Sequence, residues 1–276
     1  MNIRTHVGRS LDVNYKPNLY ILLLVASSVP IAFTFLIKSN DFLFSIGNSV
    51  IIGISIFLAW AISREIDPDN DIAAFMPLPL FILGASVHGL PSVLAMLVIL
   101  ITLRMINRTV GVAFEAIDIS ISLSLSAFAS YYLENVLMVP IISSAILIDA
   151  LMDKRYKNLI FFLISVAIIA MMVIFFDIGL ALEKLAVEDY ALVVLATTIY
   201  IPLVHRSRSV NSIGDLTGIS LEPTRVMACQ LFFLIMIIAL TFFQGMEKTY
   251  PYWSILLGLS IYNIFHHVDE RGIKQP

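Results

Sequence analysis

The residues in this sequence that are best able to do chemistry are four carboxylates within seven positions, in the segment Arg64-Glu65-Ile66-Asp67-Pro68-Asp69-Asn70-Asp71. Carboxylates this close together repel one another, and a divalent cation relieves that repulsion. Mg²⁺ suits an oxygen-only site, and it binds best where phosphate supplies further ligands. The segment therefore predicts a metal site with Asp67, Asp69 and Asp71 as ligands. The alternative is a solvated loop in which Pro68 ends the preceding helix.

A second acidic pair, Asp149 and Asp153, has the four-residue spacing that places both carboxylates on one helix face. Four basic residues are predicted on the same side of the membrane as both acidic clusters: Arg104, Arg108, Lys154 and Arg155. Basic side chains bind phosphate oxygens through charge-assisted hydrogen bonds. We therefore expect the two clusters to hold one Mg²⁺–diphosphate group between them, with these four residues on its outer oxygens. The alternative is that the basic residues only set the membrane topology.

Two further carboxylates, Glu115 and Asp118, lie near the start of an apolar segment predicted over residues 112–132. Ionisable residues within a span usually face the bundle interior or a water-filled cavity, so both are candidate substrate-binding residues. The alternative is that the segment begins one turn later, with both carboxylates at the interface. In the long loop 206–226, the run Gly-Asp-Leu-Thr-Gly at 214–218 is a candidate for contact with phosphate or anionic lipid, or is part of a plain basic loop.

The elements that must position these residues are membrane helices. The chain is 59% hydrophobic and 13% charged, against roughly 45–50% and 25% in soluble domains. Its charges fall in short clusters between apolar stretches of about the length that spans a bilayer. Only helices or closed barrels satisfy the backbone in lipid, and the alternating pattern of barrel strands is missing. The predicted fold class is therefore all-α, a polytopic transmembrane helical bundle.

About ten membrane-embedded helices are expected. They are predicted over residues 19–37, 43–63, 73–87, 91–107, 112–132, 135–152, 158–176, 190–205, 227–246 and 250–268. The third and fourth are short and joined only by His88-Gly89-Leu90-Pro91, so the alternative is eight spans plus one re-entrant hairpin. Residues 1–276 are expected to form one transmembrane domain, with a cytoplasmic segment at 1–18, an interfacial helix at 177–189 and the longest cytoplasmic loop at 206–226.

The distribution of basic residues predicts the orientation of this bundle. With the N-terminus inside, 14 of the 17 Lys and Arg residues fall in inner loops, and only Lys38, Lys184 and Lys248 fall in outer loops. This bias follows the positive-inside rule. We therefore expect a multi-pass protein of the cell membrane with cytoplasmic N- and C-termini. The expected partners are the lipid bilayer and a lipid substrate, and no nucleic-acid partner is expected.

The segment Arg64-Glu65-Ile66-Asp67, followed by Asn70 and Pro77, resembles the end of the first aspartate-rich motif of the intramembrane prenyltransferases of the UbiA superfamily. Members of that family are all-helical and carry aspartate motifs in the cytoplasmic loops after the second and sixth helices. They bind Mg²⁺ and a prenyl diphosphate. The two acidic clusters occupy those same two loops here, so the resemblance implies an enzyme that acts on a prenyl or lipid diphosphate at the cytoplasmic face.

The chain departs from the family pattern in three respects. Ala59, Trp60 and Ser63 stand where the pattern has Asn, Asp and Asp. The second loop lacks the longer acidic run, and ten segments are predicted where the family has nine. A divergent member of this family would need Asp69 and Asp71 to substitute for the missing carboxylates. Two alternatives stand beside the enzyme: a transporter that uses the carboxylates of the fifth segment, and a membrane scaffold without chemistry.

Overall fold

The computed structural model of the protein describes residue 8 and residues 11–272, and the described chain is all-helical. Its α-helices are α1 Lys16–Leu36, α2 Phe42–Ile66, α3 Pro77–His88, α4 Val93–Asn107, α5 Ala116–Tyr132, α6 Met138–Met152, α7 Leu159–Phe176, α8 Val187–Arg206, α9 Pro223–Gln244 and α10 Met246–Gly272. Short 3₁₀ turns, Ala73–Phe75 and Tyr156–Asn158, precede α3 and α7. Each predicted apolar segment corresponds to one helix, which confirms the all-α class.

Five of these helices are long and apolar enough to cross a membrane, by length and composition: α1, α2, α7 with its preceding turn, α8 and α9. Shorter apolar helices are α3, α4 and α6. The 12 residues of α3 extend over only about 18 Å, less than the ~30 Å of a hydrocarbon core. The five long helices indicate a membrane protein.

Helix α2 is central to the bundle and packs against α1, α3, α4, α9 and α10. Its C-terminal half is buried, including Ile62 and Ile66. A Cβ atom at Gly53 would lie 2.8 Å from Val29 Cγ2. Because glycine has no side chain, α1 can approach α2 closely at this position. Because α2 ends among these neighbours, the acidic segment that follows it is surrounded by other elements.

Helices α3 and α4 both pack on α2, but their other neighbours differ: α3 packs on α10, and α4 packs on α6 and α9. Just after α3, the carbonyl of Gly89 accepts a hydrogen bond from the Tyr250 hydroxyl at 2.8 Å. At the end of α4, the Asn107 side chain donates to the carbonyl of Glu65 at 2.7 Å. The end of α3 and the end of α4 therefore lie at opposite ends of the bundle, and the two helices run in opposite directions.

The structure has no interfacial helix at 177–189. Residues 177–186 are non-helical, and α8 begins at Val187. Asp177 ends α7 in the left-handed conformation, with φ +55°. The backbone N–H of Glu183 then donates to the carbonyl of Phe242 at 2.9 Å. This contact with the end of α9 holds the segment outside a helix, and the apolar–polar spacing of the sequence does not reveal it.

The predicted inner and outer loops gather at opposite ends of the bundle. At one end, a cavity of about 400 Å³ is lined by residues from four predicted outer regions, among them His88, Glu134, Leu180 and Lys248. At the other end, predicted cytoplasmic loops contact one another through ion pairs and hydrogen bonds. The second end contains both acidic clusters and is the candidate site.

Candidate functional site

Asp67 directly follows α2 and is the most buried of the three metal ligands predicted after that helix, with 5% of its surface exposed. The side-chain amide of Asn70 donates to both of its carboxylate oxygens, to Oδ1 at 2.8 Å and to Oδ2 at 2.9 Å. Burial raises the pKa of Asp67 above its ordinary value, although the Asn70 hydrogen bonds and the nearby Arg206 oppose the increase. A metal ion at Asp67 would therefore compete with the Asn70 amide for these oxygens.

Asp69 connects the acidic segment to the long loop 206–226. Its Oδ1 accepts hydrogen bonds from the backbone N–H of Ser212 at 2.8 Å and from the Ser212 hydroxyl at 2.6 Å. The backbone N–H of Asn211 lies 3.1 Å from both carboxylate oxygens. An ionised carboxylate offers about four acceptor positions, so Oδ2 retains capacity for a further ligand.

Asp71 is held by residues of other elements than those that hold Asp69. It forms an ion pair with Arg64 and accepts a hydrogen bond from the hydroxyl of Tyr15, just before α1. The Arg64 guanidinium also lies 6.0 Å from the centroid of the Tyr15 ring. The three predicted metal ligands therefore have three different sets of protein partners.

A cavity of about 560 Å³ lies between the acidic segment, the start of α1 and the loop 206–226. We call it the acidic cavity. Its charged wall residues are four aspartates and one arginine: Asp12, Asp69, Asp71, Asp215 and Arg64. The run at 214–218 is a candidate for phosphate contact from the sequence. It contributes Asp215 to the cavity that Asp69 and Asp71 of the first acidic cluster also line.

Two glycines allow the loop 206–226 to approach the end of α4. A Cβ atom at Gly214 would lie 2.6 Å from the Cα of Gly111, a distance that forces the backbone to move. Gly111 itself has φ +86°, which favours glycine. The backbone N–H of Asp215 donates to the carbonyl of Thr109 at 3.1 Å. This close backbone contact positions Asp215 on the cavity wall.

The second acidic pair, Asp149 and Asp153, binds two arginines. Asp149 Oδ1 lies 2.6 Å from Arg108 Nη2 and 3.0 Å from Arg225 Nη1. Asp153 Oδ1 lies 2.5 Å from Arg225 Nη2, and Asp153 also pairs with Arg108. Burial alone would raise the pKa of Asp153, but the hydrogen bonds from Arg225 and Arg108 outweigh burial and lower it. Two guanidinium groups thus occupy these predicted metal ligands.

Glu65 forms a third buried ionic contact, which the sequence did not identify as a site. It is 1% exposed and accepts hydrogen bonds from Arg104 Nε at 2.9 Å and from the Thr109 hydroxyl at 2.5 Å. Arg104, a predicted diphosphate ligand, therefore neutralises a buried carboxylate. Arg108, a second of the three arginines expected on the diphosphate, is paired with the second acidic cluster as described above.

The remaining predicted substrate-binding residues lie beside a different cavity. Helix α5 begins at Ala116, so Glu115 precedes it, and Asp118 lies in its first turn and accepts a hydrogen bond from the Glu115 N–H at 3.0 Å. The structure thus has the later helix start that the sequence left open, and an acidic first turn suits the helix dipole. Glu115, Lys154 and Arg155 line a cavity of about 940 Å³, separate from the acidic cavity.

The acidic cavity is compatible with Mg²⁺ if phosphate completes the coordination. Over the described residues, no group of three or more His, Cys, Asp or Glu side chains is arranged to hold a metal ion. Mg²⁺ is commonly bound by one or two carboxylates with phosphate oxygens and water, and Asp69 and Asp71 both line this cavity. Asp149 and Asp153 do not line this cavity, and a site shared by both clusters stays a prediction. Comparison with models of known protein families, with curated proteins and with solved structures found no match.

Proposed function

We propose that the chain is a multi-pass protein of the cell membrane in which about ten helices are embedded and both termini are cytoplasmic. The positive-inside bias supports this orientation, since 14 of 17 basic residues fall in the loops that it places inside. The predicted inner loops lie together at one end of the bundle, so one orientation places all of them on the same side of the membrane. The acidic cavity then opens at the cytoplasmic face.

Single cysteines in a Cys229→Ser background test this orientation, because Cys229 is the only native thiol. The variants are Lys184→Cys, Lys248→Cys, Asn70→Cys, Arg155→Cys and Arg208→Cys. The first two are expected to react with an impermeant thiol reagent added to intact cells, and the other three only after the membrane is opened. Labelling in the opposite sense would overturn the orientation.

We further propose that the acidic cavity binds the diphosphate of a prenyl or other lipid chain together with Mg²⁺, and that the protein is a divergent UbiA-like enzyme. The observation that carries this proposal is the meeting of the acidic segment and the loop 206–226 around one cavity. Its wall has four carboxylates against the single guanidinium of Arg64. Such an excess of negative charge favours a cation, and a bound cation converts the wall into a site for an anion.

Asp69 and Asp71 are the residues that would hold the ion. Asp69 retains acceptor capacity, and Asp71 is 35% exposed on its side chain, so both are accessible from the cavity. Mg²⁺ would neutralise the diphosphate and stabilise the charge that develops when it leaves the prenyl carbon. Arg64, on the same wall, supplies a guanidinium suited to phosphate oxygens. Ile213 and Leu221 on that wall offer apolar contact to the first part of the lipid chain.

The proposal is tested by equilibrium binding of a radiolabelled prenyl diphosphate to the purified full-length protein, with Mg²⁺ or with EDTA. We expect Mg²⁺-dependent binding that is weakened at least about tenfold by Asp69→Asn or Asp71→Asn, since each removes one charged ligand. The matched control is Asp177→Asn, which changes an exposed aspartate at the other end of the bundle. Its left-handed backbone tolerates asparagine.

Product analysis with a lipid acceptor then separates an enzyme from a binding protein. The enzyme proposal would be refuted if the protein does not bind prenyl diphosphate. It would also be refuted if EDTA and both cavity substitutions leave that binding unchanged. Transport and scaffolding would then be the remaining classes. Binding that the Asp177→Asn control weakens equally would show that the effect does not belong to the cavity.

A further inference from the structure

A second cavity at the same end of the bundle is basic. It has a volume of about 940 Å³ and lies where α6 is connected to α7, and Phe114 and Glu115, just before α5, also line it. Three of its wall residues carry positive charge: Lys154, Arg155 and Lys157. We call it the basic cavity. It shares no lining residue with the acidic cavity.

The positive charge of the basic cavity is poorly compensated by the protein. Lys154 and Lys157 are exposed and have no carboxylate partner within the described part of the chain. Arg155 Nε lies 3.6 Å from Asp153 Oδ2, but Asp153 is already bound by two other arginines. Glu115 is the one acidic residue on the wall. The cavity therefore presents a net positive field to an anion.

A buried polar side chain marks the same wall. Asn158 is 6% exposed and lines the cavity. Its side-chain amide makes no hydrogen bond to any described residue, so it is available to a ligand in the cavity. Asn158 also precedes the first residue of α7, where no side chain caps the helix. The positive end of the helix dipole favours an anion at this position.

The helix that leads away from this cavity faces lipid. α7 with its preceding turn is the most apolar of the five long helices, and only 11% of its apolar window is buried inside the protein. Its first turns expose large apolar side chains, including Ile160 at 58% and Leu163 at 66%. A lipid whose acyl chains lie along α7 thus has its headgroup next to the basic cavity.

We propose that the basic cavity binds the phosphate headgroup of an anionic membrane lipid. Lys154, Arg155 and Lys157 contact the phosphate charge, the Asn158 amide hydrogen-bonds a headgroup oxygen, and the acyl chains pack on α7. Basic pockets between membrane helices on the cytoplasmic side are suited to such headgroups. The site does not depend on the diphosphate binding that we propose for the acidic cavity, because the two cavities share no lining residue.

The size of the effect follows from the three charges. Each basic residue near a membrane surface strengthens binding of an anionic lipid by about fivefold, so the loss of all three is expected to weaken it on the order of 100-fold. Asn158→Leu removes the amide while it keeps the volume, and is expected to weaken binding about fivefold. Salt is expected to reduce the contribution of the exposed lysines first.

The test is native mass spectrometry of the purified full-length protein, titrated with phosphatidylglycerol or phosphatidylcholine. Binding is compared for a triple variant, Lys154→Gln/Arg155→Gln/Lys157→Gln, and for a matched triple variant at the other end, Lys38→Gln/Lys184→Gln/Lys248→Gln. We expect the native protein to prefer phosphatidylglycerol. The inner triple variant should lose that preference, and the outer triple variant should retain it.

Three outcomes would overturn the proposal: equal binding of the two lipids by the native protein, equal loss in both triple variants, or displacement of the lipid by millimolar inorganic phosphate, which would identify a free-phosphate site. If the inner triple variant fails to fold, Lys157→Gln and Asn158→Leu provide the same comparison with smaller changes. Prenyl diphosphate binding by Lys157→Gln and by Asn158→Leu, two residues that are not expected at the diphosphate, should remain Mg²⁺-dependent and undiminished, which separates failure here from failure of the acidic cavity.

Discussion

Arg225 and Arg155 contact the same carboxylate, that of Asp153, but differ widely in burial. The Arg225 side chain is 4% exposed, and its Nη2 lies 2.5 Å from Asp153 Oδ1. The Arg155 side chain is 39% exposed, and its Nε lies 3.6 Å from Asp153 Oδ2. Arg225 Nη1 also donates to Asp149 Oδ1 and to the carbonyl of Ile106, both at 3.0 Å. We predict that Arg225→Gln destabilises the fold far more than Arg155→Gln.

The magnitudes follow from burial. Breaking a buried ion pair by removing one partner costs about 3–5 kcal/mol, because a charge is left without compensation. An exposed pair contributes about 0–1 kcal/mol. At about 2–4 °C per kcal/mol for a chain of this size, the unfolding midpoint should fall by roughly 6–20 °C for Arg225→Gln and by less than about 4 °C for Arg155→Gln.

The assay is thermal unfolding followed by circular dichroism, at neutral pH and in one lipid-free detergent, so that lipid bound near Arg155 does not contribute. A double variant, Arg225→Met with Asp149→Leu, removes charge from both sides and should recover part of the loss. Equal shifts for the two single variants would refute the conclusion that burial sets the strength of this cluster.

Two further predictions concern pH and backbone packing. The pKa of Asp153 is lowered from its ordinary 3.8, so the stability that Asp153 adds to the fold is present above that value and is lost as pH falls through the folded-state pKa. The pKa of Asp67 is raised, so the stability that protonated Asp67 adds is lost as pH rises through its folded-state pKa. At pH 7, Asp153→Asn should therefore lower the unfolding midpoint and Asp67→Asn should raise it. Shifts of the same sign in the two variants would contradict this reasoning. Gly214→Ala should destabilise by about 1–3 kcal/mol because its Cβ meets backbone, whereas Gly47→Ala, with open space around it, should stabilise α2 by up to about 1 kcal/mol in the same unfolding assay.

The helices of this protein could be predicted from its sequence because lipid imposes a strong constraint. Apolar runs broken by charge clusters mark helix positions, and α2 was predicted at 43–63 and observed at Phe42–Ile66. The errors lie where local contacts decide the backbone. Residues 177–186 match a helical spacing but are held by a backbone hydrogen bond to Phe242, a partner about 60 residues away that no local pattern indicates.

The partners of the charged residues were much harder to predict than the helices. Arg225 was assigned only to an inner loop, yet it donates to Asp149, which is 76 positions away. Glu65 was noted as part of a motif, and its burial next to Arg104 could not be inferred from the motif alone. Charge type could be read directly from the sequence and membrane side is predicted from it, but ion pairs depend on which helices are neighbours. That information requires the three-dimensional packing.

The two acidic clusters illustrate why similar sequence patterns can differ in their capacity to bind a cation. In the second cluster, two carboxylates face two guanidinium groups, so the charge is already balanced and a cation would have to displace an arginine. In the acidic cavity, Arg64 is the single positive side chain against four aspartates. The carboxylates that follow α2 therefore have the stronger electrostatic demand for a cation. Trp60 and Ser63 stand where the pattern of the proposed family has two aspartates. Negative charge is nevertheless present at the place where that pattern would end, because Asp69 and Asp71 are held there by the loop 206–226 and by Tyr15, just before α1.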